Sequence, residues 1–268
     1  MHRRRFLAAS AAAALLPTVS RAITPDGAFE VASAVLGGER RVNIALPAGY
    51  AGSRRRYPVL YLLDGGTKDE DFPKITDSVA AAVAAGRLAP MIVVGIEGVD
   101  RKHDLTHPAV DAEDRRMLPT SGGSAAYRRF LVDELQPWVN ARYRTDGRRG
   151  LIGESLAGLF VVETFLREPR AFDAYLAASP SLWWDAQSLA DQAAVLLAAG
   201  GFKGRRLYLS IGDEGATMQE GMDKLVAALK AKPPAGLAWR YDPMPAEHHS
   251  TIYDPSARIG LPWLFPAR

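Results

Sequence analysis

A serine, a pair of acids and a pair of histidines stand where they could assemble one acyl-transfer site. Ser155 lies in Leu151-Ile152-Gly153-Glu154-Ser155-Leu156-Ala157-Gly158, where a short apolar strand runs into a Gly/Ala-rich turn and then a helical pattern. A serine on such a turn exposes its hydroxyl, and the following helix N-terminus aims N–H groups at a reacting carbonyl. Asp213 and Glu214 follow the apolar run 207–211, and Glu247-His248-His249 follow the amphipathic run 237–241. The chemistry these residue types support is nucleophilic attack by a hydroxyl. A histidine takes the serine proton, and an acid behind it orients the ring and stabilises its positive form. Either Asp213 or Glu214 could be that acid. Each piece has a plainer reading on its own: an acid pair opening a helix is a cap, and adjacent histidines on an irregular segment are surface residues. It is the conjunction, in the order serine, acid, histidine, that carries the argument.

Such residues need a rigid frame. Residues 28–36 and 40–46 read as two strands joined by Gly37-Gly38, a hairpin signal. Largely apolar runs follow at 57–63, 91–96, 151–152, 174–178 and 207–211, with the amphipathic run 237–241 last. Unbroken runs of this kind suit strands buried on both faces of a mostly parallel sheet. Helical patterns alternate with them at 75–84, 124–143, 159–167, 186–199 and 218–231. The alternation predicts an α/β fold, a mostly parallel sheet with helices on both faces and an N-terminal antiparallel hairpin. The candidate residues all follow strands, where ligands bind in open sheets of this class. The stretch 101–123 lacks periodicity and reads as a long loop near the site. The backbone N–H of Leu156, with one from Asp64-Gly65-Gly66 (Gly66 is preferred), would form the oxyanion hole. Trp183 and Trp184 follow a strand end and read as an aromatic wall, with core packing as the alternative.

The chain resembles the esterase family that includes esterase D and the enterochelin (siderophore) esterases, of the α/β-hydrolase superfamily. The resemblance rests on 58–65, on Asp100-Arg101-Lys102-His103-Asp104-Leu105-Thr106, on 153–160, on Ser179-Pro180-Ser181-Leu182-Trp183-Trp184, and on Glu247-His248-His249-Ser250-Thr251. It implies Ser155 as nucleophile and His249 as base, with His248 in a variable slot, and it favours Glu214 over Asp213. The expected activity is hydrolysis of a small-molecule, siderophore-like ester through an acyl-enzyme on Ser155. Two alternatives stand beside it: an acyltransferase of the same fold, like the antigen-85 mycolyltransferases, and a non-catalytic binding protein. The chain departs from the family at Glu154, where relatives carry histidine, and at Ala157, where they carry glycine.

Among 268 residues there is no cysteine, which excludes disulfides, thiolate metal sites and cysteine nucleophiles. Arg3-Arg4-Arg5-Phe6-Leu7 precedes a short Ala/Leu run and small residues ending at Ala22. Residues 1–22 therefore read as a cleavable export leader of the twin-arginine type, with the general secretory route as the alternative. Removing its four arginines from a net charge of +3 leaves −1. Residues 23–268 are thus expected to form one exported esterase domain, periplasmic or secreted. Its partner would be a small-molecule ester, with no nucleic acid, no stable membrane anchor, no metal and no cofactor. The oligomeric state is open.

Overall fold

The computed structural model describes residues 23–68 and 71–267; the expected export leader, residues 1–22, lies outside the described residues. Eight strands form one sheet: β1 (Ile23–Ser33), β2 (Gly38–Pro47), β3 (Tyr57–Leu62), β4 (Ile92–Ile96), β5 (Thr145–Glu154), β6 (Ala174–Ala178), β7 (Arg206–Ile211) and β8 (Ala238–Pro243). Their order is β1-β2-β4-β3-β5-β6-β7-β8. β1 and β2 form the expected antiparallel hairpin, β2 runs antiparallel to β4, and every further pairing is parallel. β3, β4 and β6 are buried at every residue, as their unbroken apolar runs require.

Alternation along a strand divides the interior into two cores. Tyr57, Val59 and Tyr61 of β3 join a core with the helical stretch 124–142 and the helices Leu156–Arg167 and Ala216–Ala231. Leu60 and Leu62 face the opposite core, which is covered by the helices Phe72–Ala84 and Tyr253–Leu264. The last helix departs from the sequence reading, because Pro255, Gly260 and Pro262 disguise it. Pro255 sits in the first turn, where a missing N–H is tolerated. Gly260 lets the helix press on the sheet: a Cβ there would come within 2.6 Å of Leu176 and 2.7 Å of Tyr208. The expected helix at 186–199 is instead two short ones, Ser188–Asp191 and Ala193–Ala198. The helix 124–142 contains a π-helical stretch, Phe130–Leu135, just before Pro137. A wider turn removes the carbonyl that the proline ring would strike.

The aperiodic stretch 101–123 carries two short helices, Arg101–Asp104 and Ala112–Met117, and is pinned from below by the segment after β6. Asp185 Oδ1 accepts the N–H groups of Val110 at 2.6 Å and Asp111 at 2.8 Å. In return, Asp114 Oδ2 accepts the N–H of Ala186 at 3.0 Å. Three successive non-glycine residues, Asp185, Ala186 and Gln187, hold φ values of +52°, +48° and +66°. Trp184, fully buried beside them, donates its indole N–H to the carbonyl of His107 at 2.9 Å. Trp184→Ala would remove a large core side chain and leave that carbonyl unpaired. It should lower stability by about 3–5 kcal/mol, read as a lower urea midpoint at unchanged m-value.

Candidate active site

The elbow is built by close backbone approach. β5 ends at Glu154, the helix Leu156–Arg167 begins two residues later, and Ser155 between them has φ +60° and ψ −122°. This conformation is costly for a residue with a Cβ and persists only where the surroundings impose it. Here they do: the Ser155 N–H donates to Ala178 O at 3.1 Å, and its carbonyl accepts from Leu159 N–H at 2.8 Å and Ser181 N–H at 3.0 Å. A Cβ on Gly153 would lie 2.6 Å from the Cβ of Ala157, and one on Gly158 would lie 2.9 Å from Ala178 O. The methyl of Ala157, a departure from the family pattern, fits because Gly153 faces it without a side chain. Leu156 is the first helical residue, so its N–H lies among those that an α-helix leaves without an internal partner.

Ser155 shares a cavity of about 660 Å³ with Leu156, Ser181, Trp183, Glu214 and His249. Its hydroxyl lies 3.4 Å from that of Ser181. His249 Nδ1 is 2.5 Å from Glu214 Oε2, and the second oxygen of Glu214 accepts a short hydrogen bond from the Ser179 hydroxyl. The Glu214 side chain is 4% exposed and that of His249 is 49% exposed, so a buried acid holds a ring that reaches into open space. The two loops that carry this pair are closed on each other by Asp213 N–H donating to Glu247 O at 2.8 Å. Asp213 itself is exposed. The structure thus distinguishes the two candidate acids: Glu214 meets the imidazole and Asp213 serves the loop through its backbone. His248 also lines the cavity, and its N–H is taken by the Thr251 hydroxyl at 2.9 Å.

One expectation needs correction. Trp184 is not a cavity wall: it is fully buried and its indole N–H is engaged within the core, and only Trp183 lines the cavity. Gly66 is buried in the loop after β3 and borders a smaller cleft of about 290 Å³ with Arg41, Thr67, Lys68 and Glu97. The sequence reading also passed over Arg101, Lys102, Met117 and Leu118, which reach the cavity from the aperiodic stretch, together with Met218. Arg101 grips Asp64 through two guanidinium nitrogens, at 2.8 Å and 3.2 Å. The Asp100–Thr106 motif was the available signal for this segment. Among the described residues no group of three or more His, Asp or Glu is placed to hold a metal ion, and no helix is long and apolar enough to cross a membrane.

Glu154, the other departure, turns inward. Its Oε1 is buried with no hydrogen-bond partner among the described residues, as is the hydroxyl of Tyr253. Burial, reinforced by repulsion from Asp71 and Glu214 and opposed by Lys74 and Arg101, pushes its carboxyl up to about 8. At neutral pH the residue before the nucleophile is therefore largely a neutral acid. Between the ordinary carboxylate range and about pH 8, the folded protein holds a proton that the unfolded chain has released. Stability contributed by this group is present at acid pH and is lost as pH rises through that window. Glu154→Gln removes the dependence. The variant should gain in Tm relative to the parent between pH 5 and pH 8.5, as thermal melts at several pH values would show; a Tm difference that does not change with pH would contradict it.

With the geometry in hand, the likenesses to known proteins are informative. The ferri-bacillibactin esterase BesA of Bacillus subtilis (strain 168) is 34% identical over 148 residues, 48% of this chain and 49% of that protein. The siderophore enterobactin esterase of Emericella nidulans is 25% identical over 199 residues, 64% of each. The chain thus spans about half to two-thirds of the length of these relatives. An IroE-like serine hydrolase from Shewanella oneidensis superposes with a TM-score of 0.82 at 27% identity, covering 89% of this chain and 79% of that one. The BES protein from Bacillus cereus, at 23% identity and a TM-score of 0.77, shares the fold over 93% of this chain and 98% of its own. The sheet order, the elbow serine and a match to the family model over residues 33–255 agree, and the chain belongs to the family described as "Putative esterase".

Proposed function

We propose that this protein is a serine carboxylesterase that hydrolyses a small-molecule, siderophore-like ester through an acyl-enzyme on Ser155. The observation that carries the reading is the contact between His249 Nδ1 and the buried Glu214 carboxylate, in the cavity that holds the Ser155 hydroxyl. A carboxylate on Nδ1 fixes the proton there and leaves Nε2 as the basic nitrogen. Nε2 takes the Ser155 proton as the oxygen attacks the ester carbonyl. The tetrahedral oxyanion is held by the Leu156 N–H and a second backbone N–H from the loop after β3. Collapse expels the alcohol, which receives the proton from His249. Water then repeats the sequence in reverse order of groups and frees the acid. Glu154 fits this scheme as a neutral acid, because a carboxylate beside the elbow would oppose the developing negative charge.

The cavity lining supports the substrate class. Arg101 and Lys102 line it, together with Met117, Met218 and Trp183, which offer apolar and aromatic surface. An ester with an anionic or strongly polar portion beside an aromatic ring is complementary to that mixture. The matched relatives act on esters of this kind by name: ferri-bacillibactin, enterobactin and, in Escherichia coli, apo-salmochelin. Export belongs to the same proposal, resting on the arginine-rich start and short apolar run of residues 1–22.

Four outcomes are expected. Ser155→Ala should lower turnover of a short-chain aryl ester by at least about 10⁴-fold while the fold is kept. It should also abolish fluorophosphonate labelling, which mass spectrometry of the parent would map to residue 155. His249→Ala should be of similar severity and His248→Ala far milder; the opposite ranking would reassign the base. Glu214→Gln should reduce kcat by about 10²- to 10⁴-fold with little change in KM. Asp213→Asn should stay within about twofold, since the exposed carboxylate does not meet the ring. For export, changing Arg3 and Arg4 to Lys should block passage across the inner membrane; continued export, followed by cell fractionation, would indicate the general secretory route.

A further inference from the structure

A buried amide lies on a strand three away from the one that ends at Ser155. Asn43 of β2 is 3% exposed and sits opposite Gly95 of β4. Its Nδ2 donates to Gly65 O at 2.9 Å and to Glu97 Oε1 at 3.0 Å. Both neighbours are acceptors, so the amide nitrogen must face them. Glu97 is held in turn by Arg41 Nε at 3.3 Å, and its N–H donates to Arg41 O at 3.0 Å. Gly65 is fixed by its N–H on Ile96 O at 2.8 Å. Neither Gly65 nor Gly95 has room for a side chain: each Cβ would lie 2.4 Å from an atom of the other residue. A buried polar side chain in an edge hairpin that spends one of its two donors on a carbonyl of the site loop calls for a reason.

We infer that Asn43 is a positioning residue for the oxyanion hole: by holding the Gly65 carbonyl it sets the direction of the Gly66 N–H. This inference rests on the serine-esterase reading above. The Gly65–Gly66 peptide is planar and trans, so its carbonyl and its N–H point in opposite directions. Asn43 draws the carbonyl toward β2, on the β4 side of β3. The Gly66 N–H is thereby sent toward β5, the strand that ends at Ser155. The other side of Gly66 is secured by Phe72 N–H on its carbonyl at 3.3 Å. Hydrogen bonding to the carbonyl also polarises the peptide and makes its N–H a stronger donor. The chain Arg41–Glu97–Asn43–Gly65 thus transmits a fixed orientation from the edge hairpin to the reacting oxygen.

The test compares Asn43→Ala and Asn43→Asp with the parent, with rates expressed per active site titrated by a fluorophosphonate. Asn43→Ala should lower kcat about ten- to a hundredfold, less than or equal to the loss of a whole oxyanion donor, with KM within about twofold. The inhibition constant of an aryl boronic acid, whose tetrahedral adduct places an oxygen in the same hole, should rise by a matching factor. A role in stability alone would not move that ratio. Asn43→Asp places a carboxyl between Gly65 O and Glu97. Its activity relative to the parent should recover as pH falls, because only the protonated carboxyl can donate. Parent-like kcat and boronate affinity in a folded Asn43→Ala protein, or an Asn43→Asp activity ratio independent of pH, would overturn the inference. If Ser155→Ala is inactive while Asn43→Ala is unimpaired, the inference alone fails. If Ser155→Ala remains active, the serine reading fails and the inference falls with it.

Discussion

The left-handed backbone of Ser155 is the constraint on which the rest of the site depends. It is imposed by hydrogen bonds on both sides, from Ala178 on β6 and Ser181 beyond it, and by helix–strand contact too close for a Cβ at Gly153 or Gly158. Because the same hydrogen bonds fix the segment after β6, they also fix Ser179, which holds Glu214, and Trp183, which lines the cavity. Glu214 in turn holds His249. Ser155, Glu214 and His249 are therefore positioned by one connected set of backbone and side-chain hydrogen bonds beyond the carboxyl ends of β5, β6 and β7, and the sheet provides the stiffness.

Charge is distributed around this frame with a similar logic. Glu214 sits in a nearly buried place where an imidazole and a hydroxyl meet its two oxygens. Glu154, at the end of β5, has a buried oxygen with no hydrogen-bond partner among the described residues and holds its proton at neutral pH. Two carboxyl groups of one neighbourhood thus have unlike surroundings: both oxygens of Glu214 are met by partners, whereas burial and repulsion from Asp71 and Glu214 keep the proton on Glu154. Asn43 shows the same economy in a neutral group: each of its donors has an acceptor, and one of those acceptors belongs to the site loop.

Much of this was legible in the sequence, for identifiable reasons. Strands buried on both faces leave unbroken apolar runs, so β3, β4, β6 and β7 could be read directly. The elbow was legible because small residues are compulsory there. The acid was open between Asp213 and Glu214 because adjacent side chains differ only in direction, which the loop contact between Asp213 N–H and Glu247 O decides. The C-terminal helix was hidden by two prolines and a glycine whose places are tolerated for reasons of contact. Trp184 and Trp183 are neighbours of one residue type, and only packing separates core from wall. Arg101, Lys102, Met117 and Leu118 lie in a stretch without periodicity, so nothing in the pattern could orient them. Asn43 was invisible because its partners are more than 20 residues away along the chain.

The anchoring of the stretch 101–118 has a consequence for how such a site diversifies. Its attachment at the segment after β6 is concentrated in a few bonds, chiefly from Asp185, Asp114 and Trp184, and the strained backbone at 185–187 serves those bonds. Ser155, Glu214 and His249 are held elsewhere, by contacts at the ends of β5, β6 and β7. The outer wall is therefore a replaceable part. Between its anchor points it can lengthen, shorten or exchange side chains while the proton-transfer geometry stays as it is. A lineage of such proteins can explore new alcohols and acids by rewriting one irregular segment, with the reaction itself inherited unchanged.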